Sequence, residues 1–196
     1  MQSPVTESRI HLYMVVATIF LHGSMMVLNE VFFRQAEFLQ GIGWIYIPAG
    51  TRLLCTLLFG WAGALGLLLT GWVACYWYYV PGDALRATAG ALAGAVGPYL
   101  VYIYARRAFG LQTTLRNLTP QRLLACAAAC ALASPLLHHL WFWLDRQDKL
   151  APGFLVMCVG DFAGSLIVLY TAKAVLALVD GRRGRFRPTH YVQDRK

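Results

Sequence analysis

Residues 41–80 read GIGWIYIPAGTRLLCTLLFGWAGALGLLLTGWVACYWYYV, with Arg52 the only charged side chain in the stretch. As one helix it would be about 60 Å long, twice the ~30 Å of a bilayer's hydrocarbon core. The chain must therefore turn back on itself. Gly60-Trp61-Ala62-Gly63 is the natural hinge, and it predicts one span near 42–59 and another near 62–80, joined by a very short turn. The apolar residues lack the period-two alternation of a barrel wall, so the predicted spans are helices.

Outward from this stretch the pattern repeats. Further apolar runs predict spans near 10–28, 84–104, 121–144 and 154–179. Pro81-Gly82-Asp83 ends the third span, Arg106-Arg107 stops the fourth, and Thr119-Pro120 gives the fifth a cap and a proline at its first helical position. Composition agrees: 58% hydrophobic, 13% charged and a mean hydropathy of +0.53 lie outside the range of ordinary soluble domains. The first run ends in Met25-Met26-Val27-Leu28-Asn29-Glu30 without a small-x-small cleavage site, so it is expected to be a retained helix and not a signal peptide. The predicted fold is an all-α, polytopic bundle of about six transmembrane helices over residues 1–179, followed by a basic tail at 180–196.

The formal net charge of +8 resides in connections and tail. Arg106, Arg107, Arg116 and Arg122 cluster between spans four and five, and Arg182, Arg183, Arg185, Arg187, Arg195 and Lys196 fill the tail. Two spans separate the clusters, so both fall on the cytoplasmic side, and six spans place the N-terminus inside as well. Basic residues so placed meet anionic lipid heads; the bilayer is the expected partner and nucleic acid is not. Cys55, Cys75, Cys126, Cys130 and Cys158 all lie in apolar runs with no CxxC pair and read as small hydrophobes.

Topology sets the depth of the polar residues inside the spans. Span two runs inward and carries Arg52 two to three turns below the outer face; span six also runs inward and carries Asp161 at a similar level. Either charge alone in hydrocarbon costs about 2.5–3.5 kcal/mol on insertion scales, so a pair or a shared aqueous cavity is expected. Glu30, beside Arg34 at the end of span one, and His138 and His139 in span five fall in the same outer half. The expectation is a polar pocket opening outward and lined by Glu30, Arg52, His138 or His139, and Asp161. The structural alternative is that Arg52 and Asp161 only staple two helices and that Glu30 pairs with Arg34. Adjacent histidines point about 100° apart on a helix and do not readily share one metal. Neither a metal nor another cofactor is expected, a haem between His22 and His138 included. HxxxxD, GxSxG, HExxH and phosphate-cradling loops are all missing from the sequence, and the chain is expected not to be an enzyme.

Small residues recur at Gly90-x-x-x-Gly94 with Gly97, and at Gly160-x-x-x-Gly164, spacing that permits close backbone approach between helices. Taken in order, Ile47-Pro48-Ala49-Gly50, Phe59-Gly60, Thr70-Gly71, Gly94, Arg106-Arg107 and Gly160-Asp161-Phe162-Ala163-Gly164-Ser165-Leu166-Ile167-Val168 resemble the bacterial membrane-associated sensor domains of type one, over residues 44–179. The resemblance implies a multi-helix module of the bacterial inner membrane that senses small ligands. Pro48, Gly50, Gly160, Asp161 and Gly164 occupy the matching motif positions. The chain departs from that family in having fewer than its usual eight spans and no fused signalling domain. A sensing role would then work through a separate protein partner. Two other functions fit the same features: a substrate-binding membrane subunit of a small-molecule transporter, and a structural subunit of a larger membrane complex.

Overall fold

A computed structural model describes residues 4–110, 119–145 and 150–184. Arg116 and the tail beyond Gly184, with Arg185, Arg187, Arg195 and Lys196, lie outside the described residues. The fold is all-α apart from one small hairpin. In chain order the elements are α1 (Pro4–Phe33), the strands β1 (Glu37–Leu39) and β2 (Ile42–Gly43), α2 (Pro48–Phe59), α3 (Trp61–Ala74) continued by a π-helical segment (Cys75–Tyr79), α4 (Ala84–Phe109), α5 (Pro120–Leu144) and α6 (Leu150–Gly184).

Four of these helices are long and apolar enough to cross a membrane: the stretches Thr6–Ala36, Ala84–Phe109, Pro120–Leu144 and Ala151–Val175. Their outward faces present Phe20, Val27, Leu85, Leu136 and Tyr170, each more than half exposed. In water such a surface would be very costly; against lipid tails it is already in its solvent, and the chain is a membrane protein.

The remaining helices are arranged differently from the sequence expectation. Residues 42–59 do not form one helix: α2 begins only at Pro48 and is about 18 Å long, too short to cross the hydrocarbon alone. Glycines at 41 and 43 favour the hairpin, and Pro48 supplies no N–H to a helix that might have started earlier. Residues 44–47 find backbone partners elsewhere. Trp44 N–H donates to the Ala36 carbonyl at 3.0 Å, Tyr46 N–H to the Gly160 carbonyl at 3.1 Å, and Ile47 N–H to Asn29 Oδ1 at 3.0 Å. Non-helical backbone is tolerated at membrane depth when protein satisfies it in this way.

The turn between α2 and α3 is tighter than the four-residue hinge expected. Gly60 makes it alone with φ 56° and ψ −126°, a conformation that side chains resist. The result is a short helix at the centre of the bundle. α1, α3, α4, α5 and α6 pack in sequence around α2, which touches all five, and most of its side chains are buried. Leu53 and Leu57 join Val101 and Ala105 of α4 and Cys126, Ala127 and Cys130 of α5 in the main apolar cluster.

The Gly160/Gly164 pair also has an unexpected partner. It receives extended backbone and not another helix: a Cβ on Gly160 would overlap the Gly43 carbonyl oxygen, and one on Gly164 the Tyr46 carbonyl oxygen. One turn into α2, Gly50 lies against Val168 of α6. Gly50, Gly160 and Gly164 thus form a single seam between the chain entering α2 and α6.

Candidate functional site

Arg52 projects from the central helix and is 9% exposed. Its Nη2 donates to the Tyr46 hydroxyl at 3.2 Å, and its guanidinium carbon lies 5.0 Å from the centre of the same ring, a cation–π contact. Gly94 of α4 faces the guanidinium, where a Cβ would stand 3.5 Å from Cζ. Among the described residues, Nη1 of Arg52 has no hydrogen-bond partner.

That guanidinium lines a cavity of about 330 Å³. The walls follow successive turns of the surrounding helices: Leu67, Gly71, Cys75 and Tyr79 on α3 and its π continuation, Gly90, Ala91 and Gly94 on α4, His138, Trp141 and Phe142 on α5, and His22 and Met26 on α1. Gln40 and Gly41 of the β-hairpin and Arg86 in the first turn of α4 stand at one end of these rows, and Arg52 and His22 lie deeper. At the hairpin end Arg86 bridges Asp83 at 3.3 Å and Asp145 at 3.0 Å, tying the start of α4 to the end of α5. The Asp83 side chain also accepts from the Arg86 backbone N–H at 3.0 Å and caps α4.

His22, 1% exposed, has its Nδ1 2.8 Å from the Thr51 hydroxyl. Thr51 itself donates to the Pro48 carbonyl at 2.8 Å, so its single proton is spent and Nδ1 of His22 must be the donor. His138 is held alike, Nδ1 donating to the Ser134 carbonyl at 2.9 Å. Both rings therefore carry their anchoring proton on Nδ1 and leave Nε2 as the remaining polar atom.

The expected pocket, lined by Glu30, Arg52, His138 or His139, and Asp161, is assembled only in part. Arg52 and His138 line the cavity; Glu30, His139 and Asp161 do not. Glu30 accepts hydrogen bonds from Tyr78 Oη at 2.8 Å and Tyr79 Oη at 3.2 Å, on the far side of Tyr79. It borders a separate apolar groove of about 530 Å³ between α1 and α3. Phenol donors from the π-helical segment, and not Arg34, satisfy it. His139 points toward α6, its Nδ1 donating to the Pro135 carbonyl at 2.9 Å and its ring set edge-on to Phe142 and Phe154 at 5.1 and 5.3 Å. The 100° offset from His138 is the reason.

Asp161 is 2% exposed and sits on α6, which packs directly on α2. The two helices are neighbours, yet among the described residues no ion pair within 4.0 Å joins Arg52 to Asp161. Arg52 is engaged by Tyr46, which lies between the hairpin and α2, and among the described residues Oδ1 of Asp161 has no hydrogen-bond partner. Ser134 and Ser165 add buried hydroxyl oxygens in the same condition. The bundle therefore holds a cluster of under-satisfied polar groups on α2, α5 and α6.

Sequence reasoning missed His22 and Tyr46 as site residues. Tyr46 carries no local signal that its hydroxyl meets Arg52, and His22 lacked a visible partner because Thr51 is 29 positions away. No group of three or more His, Cys, Asp or Glu residues suited to a metal ion occurs among the described residues. No family model, curated protein or solved structure matches the chain.

Proposed function

We propose that the chain is a non-enzymatic module of the bacterial inner membrane that binds a small ligand from the outer side and acts through a protein partner. The observation that carries this reading is the cavity whose deep end is formed by a buried, incompletely engaged Arg52 on the central helix. A charge is expensive at membrane depth, and one kept beside a cavity marks a binding site more readily than a staple, which would have consumed its donors.

In this reading the chain crosses the bilayer six times, with both ends inside. The second crossing is completed by residues 42–46, whose non-helical backbone reaches up to about 16 Å and supplements the ~18 Å of α2. The Lys and Arg clusters between α4 and α5 and in the tail favour that orientation, which turns the hairpin, and with it the open end of the cavity, toward the periplasm. The resemblance to membrane-associated sensor domains of type one points the same way.

Coupling follows from the position of α2. It touches all five other helices, so a ligand drawing on Arg52 alters the centre of the bundle. Asp161 and the glycine seam lie on α6, which packs on α2 and leads toward the basic tail. A signal passes only when the ligand binds two arrangements of that seam with different affinity.

Native mass spectrometry of the gently extracted protein tests the reading. A small-molecule adduct, released in Arg52→Gln, together with a partner chain bound in an adduct-dependent way, is the expected result. A bare chain, or a fixed-stoichiometry complex indifferent to any small molecule, would overturn it in favour of a structural subunit.

A further inference from the structure

We infer that the cavity selects a monoanionic oxyacid with an apolar body, a small carboxylate being the class that fits best. The inference rests on the ligand-binding reading above and adds the chemistry of the ligand.

Among the described residues that line the cavity there are two arginines and no aspartate or glutamate. The arginines are not equivalent. Arg86 at the mouth is already neutralised by Asp83 and Asp145, at 3.3 and 3.0 Å. Arg52 at the deep end gives Nη2 to a neutral phenol, and among the described residues its Nη1 has no hydrogen-bond partner. Nη1 is enclosed by protein, so a ligand in the cavity meets Arg52 as a cation in the wall and not through that atom. A planar guanidinium with no carboxylate within 4.0 Å among the described residues is matched by an oxyanion, and the pairing is strongest where water is scarce.

The count of charges sets the valence. Among the described residues Arg52 has no ion pair within 4.0 Å, and the buried Asp161 of α6 lies within electrostatic reach of it. A single negative charge in the cavity is balanced by Arg52, whereas a dianion such as a phosphate monoester would bring a second, unpaired charge toward Asp161 in a low-dielectric site. The rest of the wall sets the body of the ligand: Met26, Ile42, Leu67, Trp141, Phe142 and Met157 offer aliphatic and aromatic surface. A volume of about 330 Å³ is that of about ten waters, ample room for a single-ring acid and far less than a whole phospholipid. Gly94 contributes by leaving the face of the guanidinium free of a side chain.

The test compares 4-fluorobenzoate with its neutral isostere 4-fluorobenzamide by fluorine NMR line broadening, on the full chain in nanodiscs of zwitterionic lipid. The acid is expected to bind more tightly than the amide by about tenfold to a hundredfold in the native protein. Arg52→Gln should erase that preference and Arg52→Lys should keep part of it, with tryptophan emission on heating used to show that each variant is folded. The acid–amide comparison on the unmodified chain stands even where a variant fails to fold. Equal binding of acid and amide would overturn the charge assignment while leaving the pocket reading intact. Binding of neither would overturn the assignment, and the pocket reading falls only if native mass spectrometry also finds a bare chain. A preference that survives in folded Arg52→Gln would place the acid elsewhere and overturn the inference. Loss of acid binding when phosphatidylglycerol is added would assign the site to a lipid head, also a monoanion, and overturn the choice of a soluble carboxylate.

Discussion

Arg52 is kept in the interior by its position on the inward face of a helix most of whose side chains are buried. Tyr46 covers one face of the guanidinium and accepts one of its protons, and Gly94 leaves room on another side. Asn29 has a comparable structural task on a smaller scale: its side chain, 3% exposed, accepts the Ile47 N–H just before α2 begins. Asn29→Leu should strand that buried donor and lower stability by about 1–3 kcal/mol, with Asn29→Asp, which keeps the acceptor, losing less. Thermal unfolding followed by tryptophan emission measures both. At this scale the sequence was informative where a residue is unusual for its depth: Arg52 and Asp161 stand out in an apolar run whatever their partners. It was silent on His22 and Tyr46. Their roles come from Thr51 and from the cavity, contacts made only by the fold.

Among the elements, the extended segment before α2 and its seam with α6 carry the most constraint. A Cβ on Gly164 would overlap the Tyr46 carbonyl oxygen, backbone that cannot swing aside. Gly164→Val should therefore cost about 1–3 kcal/mol or more by overpacking, read as a lowered thermal midpoint. Gly23→Ala is the contrast, since its new methyl meets only Thr70 Cγ2 at an ordinary 3.7 Å; it should be neutral or gain up to about 1 kcal/mol. The spacing Gly160-x-x-x-Gly164 announced that something approaches α6 closely, but glycine spacing does not say what. A helix was the expected visitor because residues 42–59 are uncharged apart from Arg52 and predominantly apolar. The backbone partners that let residues 44–47 leave the helix lie on α1, α6 and the turn at Ala36, out of reach of any local pattern.

On the scale of the whole molecule, one short helix sits inside an arc of five, with a cavity between the centre and the arc. Hydropathy made the membrane class legible, because exposed Phe20, Leu85 and Tyr170 need lipid as solvent and come from runs that a window of residues detects. It could not separate a central helix from a peripheral one, since both are apolar. A native probe of the central claim exists in Cys75, the one cysteine among the residues lining the cavity. Cys55, Cys126 and Cys130 are buried, and Cys158 can be removed as Cys158→Ser. In intact spheroplasts carrying that substitution, membrane-impermeant methanethiosulfonates should modify Cys75 from the outer face. The anionic sulfonatoethyl reagent should gain on the cationic trimethylammonioethyl reagent, relative to their rates with a small free thiol, because Arg52 faces the same space. Modification only after the inner face is opened, or a relative advantage for the cationic reagent, would contradict an outward cavity governed by Arg52.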